Sequence, residues 1–123
     1  MSGRPTAGDT GVRGERIAEA YLVQKGYAVL ARNYRYGHKE IDLVLRDGET
    51  VVFTEVKARA DASFGTPGAY VDRHKRQNLT VAAEAYLAQN GLTDSPARFD
   101  VVEIYLKEKR IRHIPDAFGR SLP

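Results

Sequence analysis

The sequence predicts a single α/β or α+β domain in which helices cover a mixed β-sheet. Two stretches carry apolar residues at helical spacing, and five shorter stretches have the composition and spacing of strands. In chain order they give αβββαββ, the pattern expected when strands and helices share one core. The length of 123 residues fits one domain and leaves little room for a second.

The composition limits the chemistry that the chain can perform. It contains no cysteine, which excludes a disulfide scaffold, a cysteine-ligated zinc finger and a thiol nucleophile. Any metal would need oxygen or imidazole ligands, which favours Mg²⁺ or Mn²⁺. The net charge of +3 is compatible with a polyanionic partner. With neither a signal peptide nor a long apolar run, we expect a cytoplasmic protein without a membrane partner.

The N-terminal third is predicted to hold an arm, a helix and a strand. Residues 1–12 are polar and glycine-rich, typical of a flexible arm, and the folded domain is expected to span residues 13–114. Apolar residues at helical spacing predict a helix from Arg13 to Lys25, which Gly26 ends. A strand is predicted from Tyr27 to Asn33.

A hairpin follows, with strands at Glu40–Arg46 and Glu49–Lys57. Asp47 and Gly48 between them are a strong signal for a two-residue turn. In that register Glu40 lies opposite Glu55, and Asp42 is a diagonal neighbour of Glu55 at about 7–8 Å. Strand alternation then directs one set of side chains to a common face: Glu40, Asp42, Glu55 and Lys57.

The second half is predicted as a loop, a helix, two strands and a tail. Residues 58–70 lack periodicity and form the loop, and Asp72 caps a helix that ends near Asn90, with Gly91 as its C-terminal stop. Five residues at helical spacing are predicted to form the buried stripe of this helix: Leu79, Ala82, Ala83, Tyr86 and Leu87. Strands are expected at Phe99–Leu106 and Arg110–Ile114, followed by an irregular tail over residues 115–123. His113, with the nearby basic residues Lys107, Lys109 and Arg112, is predicted to form a solvated strand edge.

Carboxylates beside an amine suit hydrolysis of a phosphodiester. A divalent cation neutralises the phosphate oxygens and lowers the pKa of a bound water, and hard carboxylate oxygens suit Mg²⁺. An ammonium nearby can orient that water or stabilise charge on the phosphate. The alternative interpretation of Glu55 and Lys57 alone is an ordinary charged strand face. Asp42 on the same face favours a metal site.

The chain also resembles a known family. Gly14-Glu15, Glu40-Ile41-Asp42-Leu43, the run Phe53–Arg59, Phe64-Gly65, the basic turn around Lys75 and the run Arg98–Val102 together resemble the YraN family of uncharacterised proteins. The match spans roughly residues 12–106. That family is similar to the PD-(D/E)XK nucleases, particularly archaeal Holliday-junction resolvases.

The resemblance implies a restriction endonuclease-like fold. It implies that Asp42 is the motif aspartate and that Glu55 and Lys57 form the E-x-K element. It further implies that Glu15 reaches the metal from the first helix. The alternative for Glu15 is an acid near a helix N-terminus that complements the helix dipole. Resolvase-like relatives act as dimers, so a homodimer stays open.

The start of the second helix is unusual because four basic residues occupy a turn where the helix dipole disfavours cations: Arg73, His74, Lys75 and Arg76. This favours a phosphate contact, with a solvated basic face as the alternative. Arg59 is a further candidate for contact with the nucleic acid. Glu40 is interpreted as a neighbour that tunes the site, and Gln77 as either a site residue or a surface residue.

The leading hypothesis is a Mg²⁺-dependent endonuclease that hydrolyses DNA, with branched or structured DNA as the narrower candidate substrate. Asp42, Glu55 and Lys57 would be catalytic, and Glu15, Asp42 and Glu55 would hold the metal. The alternative is a non-catalytic module on a nuclease-like fold that binds nucleic acid or a partner protein.

Overall fold

The computed structural model describes residues 7–61 and 71–118. They form the predicted order αβββαββ, and the α/β class is confirmed. The elements are α1 (Ala7–Gln24), β1 (Ala28–Tyr36), β2 (Lys39–Asp47), β3 (Thr50–Arg59), α2 (Arg73–Gln89), β4 (Ala97–Tyr105) and β5 (Arg110–Phe118). This architecture is consistent with the restriction endonuclease-like fold that the resemblance implies.

The five strands form one mixed sheet in the order β1-β2-β3-β4-β5. Neighbouring strands run antiparallel except β3 and β4, which are parallel. A parallel pair needs a crossover connection, and the segment containing α2 provides it. The central strand β3 therefore has β2 on one side and β4 on the other, and its side chains lie in the middle of the sheet.

The two helices cover opposite faces of the sheet. Ala18 and Leu22 of α1 are fully buried against apolar residues of β2, β3 and β4, whereas Leu79 and Tyr86 of α2 pack on the other face near Phe53. Neither helix of this described part is long and apolar enough to cross a membrane. Side chains of β3 thus alternate between the α1 side and the α2 side.

The capping signals of α2 are confirmed. The Asp72 side chain accepts a hydrogen bond from the Lys75 backbone N–H at 2.8 Å, and Gly91 after the helix has φ +67°. All five predicted stripe residues are buried, and Thr80 joins them because its hydroxyl donates to the Arg76 carbonyl at 2.8 Å. The helix is therefore anchored at both ends.

The first helix starts earlier than the sequence pattern predicts. It begins at Ala7, so residues 7–12 of the predicted arm are helical. The other residues of that prediction, 1–6, lie outside the described residues. Thr and Gly have low helix propensity, so the sequence did not predict a helix in this stretch. Their propensity cost is below about 1 kcal/mol each, which a longer packed helix can absorb.

The last strand extends further than predicted and includes the first residues of the predicted tail. β5 continues through Pro115 to Phe118, and residues 119–123 lie outside the described residues. A register shift between Phe99 and Val101, with Asp116 at φ +51°, accommodates the proline on this edge strand. The loop predicted over residues 58–70 also starts later, because β3 includes Ala58 and Arg59. Residues 62–70 of that predicted loop lie outside the described residues.

Candidate active site

The β2–β3 hairpin carries the predicted carboxylates, and its turn lies one residue further along than predicted. The last pair before the turn is Asp47 with Thr50, so the turn residues are Gly48 and Glu49. Gly48 has φ +61°, as expected for glycine at the first position of a type II′ turn. The prediction of an Asp47-Gly48 turn is wrong because the glycine takes the first turn position and not the second.

This turn shifts every cross-strand partner by two residues. Leu43 pairs with Thr54 in the last regular pair, and the side chain of the adjacent Asp42 forms a hydrogen bond with that of Glu55. Glu40 therefore does not face Glu55, which corrects the predicted pairing. A shift of two residues leaves each side chain on its original face, whereas a shift of one would reverse it. Asp42 and Glu55 accordingly meet directly and not diagonally.

Asp42 lies where the sheet is locally irregular. Its Oδ2 accepts a hydrogen bond from the Val56 backbone N–H at 2.8 Å, just beyond the last regular β2–β3 pair. On its other side Asn33 of β1 has φ +48° and is absent from the regular pairing. The carboxylate takes the place of a backbone partner, which holds it in one orientation beside Glu55.

The proximity of the two acids changes the protonation of Asp42. Burial is the largest cause that raises the pKa of Asp42 to about 8, followed by its hydrogen bond with Glu55 and the charge of Glu55. The Val56 N–H acts in the opposite direction, and the charge of Glu15 adds a further increase. Two carboxylates this close cannot both ionise easily without a neighbouring cation. The pair therefore retains a proton or attracts a cation.

Lys75, on the first turn of α2, brings one such cation. Its ammonium forms an ion pair with Glu55 Oε2, and the Glu55 side chain is only 6% exposed whereas that of Lys75 is 54% exposed. Burial alone would lower the pKa of Lys75, but the hydrogen bond and charge of Glu55, with the charge of Asp42, raise it. The sequence marked Lys75 only as basic, because this contact depends on how α2 packs on the sheet.

Lys57 is the second amine of the site. It follows Glu55 on the same strand face and lies beside Glu103 of β4 in the parallel register. Burial lowers the pKa of Lys57, against the opposing effect of the charges of Glu55 and Glu103. Glu103 is buried; its Oε1 accepts from Arg112 at 3.4 Å, and its Oε2 has no hydrogen-bond partner among the described residues. The sequence interpretation missed Glu103, whose signal was an acid between the apolar residues Val102 and Ile104 of β4.

Glu15 approaches the site from α1. A Cβ on the preceding Gly14 would lie 2.4 Å from the Ala58 Cβ, so a glycine is needed for this close approach of helix and strand. Glu15 Oε1 accepts a hydrogen bond from Asn33 Nδ2 at 3.0 Å, and its charge acts on Asp42. Because α1 begins about two turns earlier, Glu15 is not in the first turn. The alternative role as an N-terminal helix acid loses its basis.

The donor set fits a hard divalent cation in an open site. Within residues 7–61 and 71–118, no three His, Cys, Asp or Glu side chains converge closely enough to hold a metal by themselves. Mg²⁺ is commonly bound through one or two carboxylates, completed by waters and substrate phosphates. Asp42 and Glu55 supply such a pair, and its mutual repulsion favours a cation.

The other predicted residues lie around this pair. Glu40 forms an ion pair with Arg35 of β1, Nε to Oε2 at 3.2 Å, so it is engaged away from Glu55. The Arg76 Nε has no hydrogen-bond partner within the described part of the chain. Gln77 is half-buried. The remaining candidates for nucleic-acid contact are exposed, namely Arg59, Arg73 and His74.

Two cavities flank the sheet. One of about 660 Å³ lies near the hairpin turn and includes Gly48 and Pro96, away from the carboxylate pair. The other, about 480 Å³, opens between α1 and β1 and is lined by Glu15 and Asn33 among others. Only the second of these borders a predicted site residue.

A buried polar cluster on the α1 side contradicts one prediction. The His113 side chain is 2% exposed, and its Nε2 lies 2.8 Å from Asp100 Oδ2. Tyr21 and Tyr27 contact the imidazole edge-on. The predicted solvated edge is wrong for His113 because this side of β5 faces α1. Asp100, an acid within an apolar strand, was the available signal.

A family model and several relatives of known sequence all match this chain to one protein family. The model of the uncharacterised protein family UPF0102 matches residues 14–104. A UPF0102 protein of Clostridioides difficile (strain 630) is 43% identical over 105 residues, which covers 85% of this chain and 92% of the relative. One from Pelobacter propionicus is 45% identical over 120 residues, covering 94% and 86%. One from Geotalea uraniireducens (strain Rf4) is 44% identical over 111 residues, covering 88% and 87%.

Proposed function

This chain belongs to the UPF0102, or YraN, family of uncharacterised proteins, and we propose that it is a metal-dependent nuclease that hydrolyses phosphodiester bonds in DNA. The observation that carries this proposal is the hydrogen-bonded contact between the Asp42 and Glu55 side chains on neighbouring strands. Glu55 is buried and Asp42 is half-buried, and two acids in such contact destabilise a fold unless a cation compensates them. Such conflicts are typical of functional sites, where chemistry outweighs stability.

The proposed cofactor is Mg²⁺ or Mn²⁺ held by Asp42 and Glu55, with Glu15 assisting. When bound, the cation would neutralise phosphate oxygens and assist ionisation of a water molecule. Asp42 is well suited as a ligand because the Val56 N–H fixes its carboxylate. Oxygen donors without imidazole or thiolate favour these hard cations over zinc.

Lys57 is proposed to act on the water or on the phosphate. Its pKa is lowered by burial, which brings the amine closer to exchanging a proton near neutral pH. In its ammonium form it can donate a hydrogen bond to a developing negative charge on a phosphate oxygen. The buried carboxylate of Glu103 beside it limits where the amine can point.

DNA is the proposed substrate because cations surround the carboxylates. Arg59 at the end of β3 and Arg73 and His74 at the start of α2 are exposed, and the helix N-terminus itself attracts phosphate. These contacts would hold the backbone and carry no sequence preference. Branched or otherwise structured DNA is the narrower form of this proposal, and a homodimer would suit a two-fold substrate.

A cleavage panel tests the proposal. Duplex, single-stranded, flapped and four-way DNA are incubated with Mg²⁺ or Mn²⁺ and wild type, Glu55→Ala or Lys57→Ala. We expect Glu55→Ala to abolish metal-dependent cleavage and Lys57→Ala to reduce its rate about 100-fold or more. Glu49→Ala, which removes an exposed acid from the same hairpin, should cleave like wild type. Equal rates for Glu55→Ala and wild type would exclude the mechanism.

The ion pair of Lys75 with Glu55 favours a second candidate function. If that ammonium compensated the carboxylates permanently, the chain would be a non-catalytic module that binds nucleic acid or a partner on a nuclease-like fold. Calorimetric titration with Mn²⁺ separates the two. The nuclease should bind Mn²⁺ at a site that Asp42→Ala destroys, whereas the module has no reason to bind it there.

A further inference from the structure

The position of Lys75 is unfavourable for its helix. Arg73, His74 and Lys75 form the first turn of α2, which contains no acidic residue, and the helix dipole disfavours cations there. The Asp72 carboxylate offsets part of this effect by capping the Lys75 N–H. That cap also fixes the backbone of Lys75 at the edge of the site. The ammonium then reaches a carboxylate that is almost completely buried.

The two ends of this ion pair differ strongly in their access to solvent. Glu55 is 6% exposed and cannot find a replacement partner in water, whereas just over half of the Lys75 side chain is exposed. A lysine ammonium is a compact charge on a flexible stem, so it can move away without changes in the backbone. Glu55 therefore requires a neighbouring cation, but a cation other than the Lys75 ammonium can take that position.

We propose that Lys75 is an internal counter-ion that occupies the Asp42–Glu55 pair in the metal-free protein and is displaced into solvent when a divalent cation binds. This inference rests on the proposed function, because it assigns the regulation of the same site. The ammonium compensates negative charge on the pair and holds the Glu55 side chain in place before the metal arrives. After displacement it lies at the N-terminus of α2, where it can contact a substrate phosphate.

Competition between two cations for one pair of carboxylates has a measurable consequence. Removing the ammonium should make Mn²⁺ bind more tightly, because the ion no longer has to displace Lys75. Lys75→Met keeps an unbranched side chain and removes the charge. Arg46→Met removes an exposed positive charge from β2, four residues along the strand from Asp42, and is the matched control for general electrostatic effects.

The experiment is calorimetric titration of the wild type, Lys75→Met and Arg46→Met with Mn²⁺ at one pH and one ionic strength. We expect Lys75→Met to bind about tenfold more tightly and Arg46→Met to stay within about twofold of the wild type. Equal or weaker binding by Lys75→Met would overturn the inference. If wild type and variants all bind no Mn²⁺, or bind it equally after Asp42→Ala, the proposed function fails as well.

A second measurement does not depend on a variant that has to fold. In the wild type, the side-chain ammonium signal of Lys75 can be followed by NMR during titration with Mg²⁺, which is diamagnetic. Displacement predicts that its protons, slowed in exchange by the bond to Glu55, exchange rapidly with water at saturation. Protection that persists in saturating Mg²⁺ would show that Lys75 stays on Glu55, and the inference would be wrong.

Discussion

At the scale of single residues, Asp42 combines a structural and a chemical role. It replaces a missing backbone partner by accepting from Val56, and the same carboxylate faces Glu55. The first role requires an oxygen at this position, which an asparagine could also supply. The second role requires a negative charge, which only the ionised acid supplies. Substitution by asparagine therefore separates the two roles.

The first prediction concerns the pH dependence of stability. The pKa of Asp42 in the folded protein is about 8, above its usual value of 3.8 in an unfolded chain. The folded state then binds more protons than the unfolded state between these values, so the free energy of unfolding should fall as pH rises from about 4 to 8. Asp42→Asn should remove this decline in the metal-free protein.

Urea denaturation of the metal-free protein at pH 5, 6.5 and 8 measures this effect. Asp94→Asn, at an exposed turn residue, is the control and should retain the wild-type slope. An unchanged slope in Asp42→Asn would mean that another group causes the decline.

The second prediction assigns a role to Glu15. Glu15 and Glu19 lie about one turn apart on α1, and both contact β1, through Asn33 and Arg32 respectively. Of these two acids, only Glu15 contributes to the raised pKa of Asp42, after the larger effects of burial and Glu55. Glu15→Gln should weaken Mn²⁺ binding about tenfold, a size typical for groups that support a metal site. Calorimetry with Glu19→Gln, expected to match the wild type, controls for loss of an acid from the same helix face.

At the scale of elements, the contact between α1 and β3 determines whether Glu15 reaches the site. Gly14 touches Ala58, and there is no space for a methyl group between them. The helix also buries Ala18 and Leu22 further along, so it cannot tilt away at one end without losing this packing. A glycine that is unfavourable for the helix is thus favourable for the assembly of helix and sheet.

Gly14→Ala is therefore predicted to destabilise the protein by about 1–3 kcal/mol, the usual cost of overpacking. Gly11→Ala is the matched control, because a Cβ on Gly11 meets nothing within 4 Å. It should be neutral or should stabilise the helix by about 0.5–1 kcal/mol. Both values follow from chemical denaturation. Equal effects of the two substitutions would contradict the close approach of α1 to β3.

Most elements could be predicted from local signals, because caps, glycine stops and apolar periodicity are short-range features. Asp72 and Gly91 bounded α2 correctly for this reason. The position of the turn was predicted one residue early, since glycine is favoured at the second position of a type I′ turn as well as at the first position of a type II′ turn. The resulting shift of two residues does not change which face a side chain occupies, so Asp42 and Glu55 were still expected on one face, as diagonal neighbours.

What remained hidden depends on contacts between distant elements. Lys75 reaches Glu55 across the interface of α2 with the sheet, and Glu103 lies beside Lys57 only because β3 and β4 are parallel. The sequence contains these residues but not the register that joins them. His113 was misjudged for the same reason, since its burial comes from α1 and not from its own strand.

At the scale of the whole molecule, the sheet carries a charged cluster on each face. The α2 side has the carboxylate pair with its lysines, and the α1 side has Asp100 with Arg98 and His113. Because an ammonium can only donate, Lys25 donates to His113 Nδ1 at 3.1 Å, and His113 Nε2 then donates to Asp100. This cluster links α1, β4 and β5. Arg98, His113 and the Asp116 backbone N–H all donate to Asp100, whereas in the other cluster burial and the neighbouring Glu55 raise the pKa of Asp42.

The two clusters should respond to acid in opposite ways. Burial alone would raise the pKa of Asp100, but hydrogen bonds from His113, Arg98 and the Asp116 N–H, with the charge of Arg98, lower it. The folded state therefore prefers the carboxylate, and its contribution to stability is present above the unfolded pKa near 3.8 and is lost as pH falls through the lower folded value.

Asp100→Asn should accordingly destabilise the protein at neutral pH by about 1.5–3 kcal/mol, the usual size of a hydrogen bond to a charged group. Arg98 keeps its ion pair with Asp47, so its charge is not left without a partner. The surface pair of Glu19 with Arg32 provides the contrast, because Glu19→Gln should cost at most about 1 kcal/mol. Urea denaturation at pH 7 measures both losses, and repeating it at pH 3 should narrow the gap between Asp100→Asn and wild type. A gap that stays constant down to pH 3 would show that the carboxylate charge does not stabilise this face of the sheet.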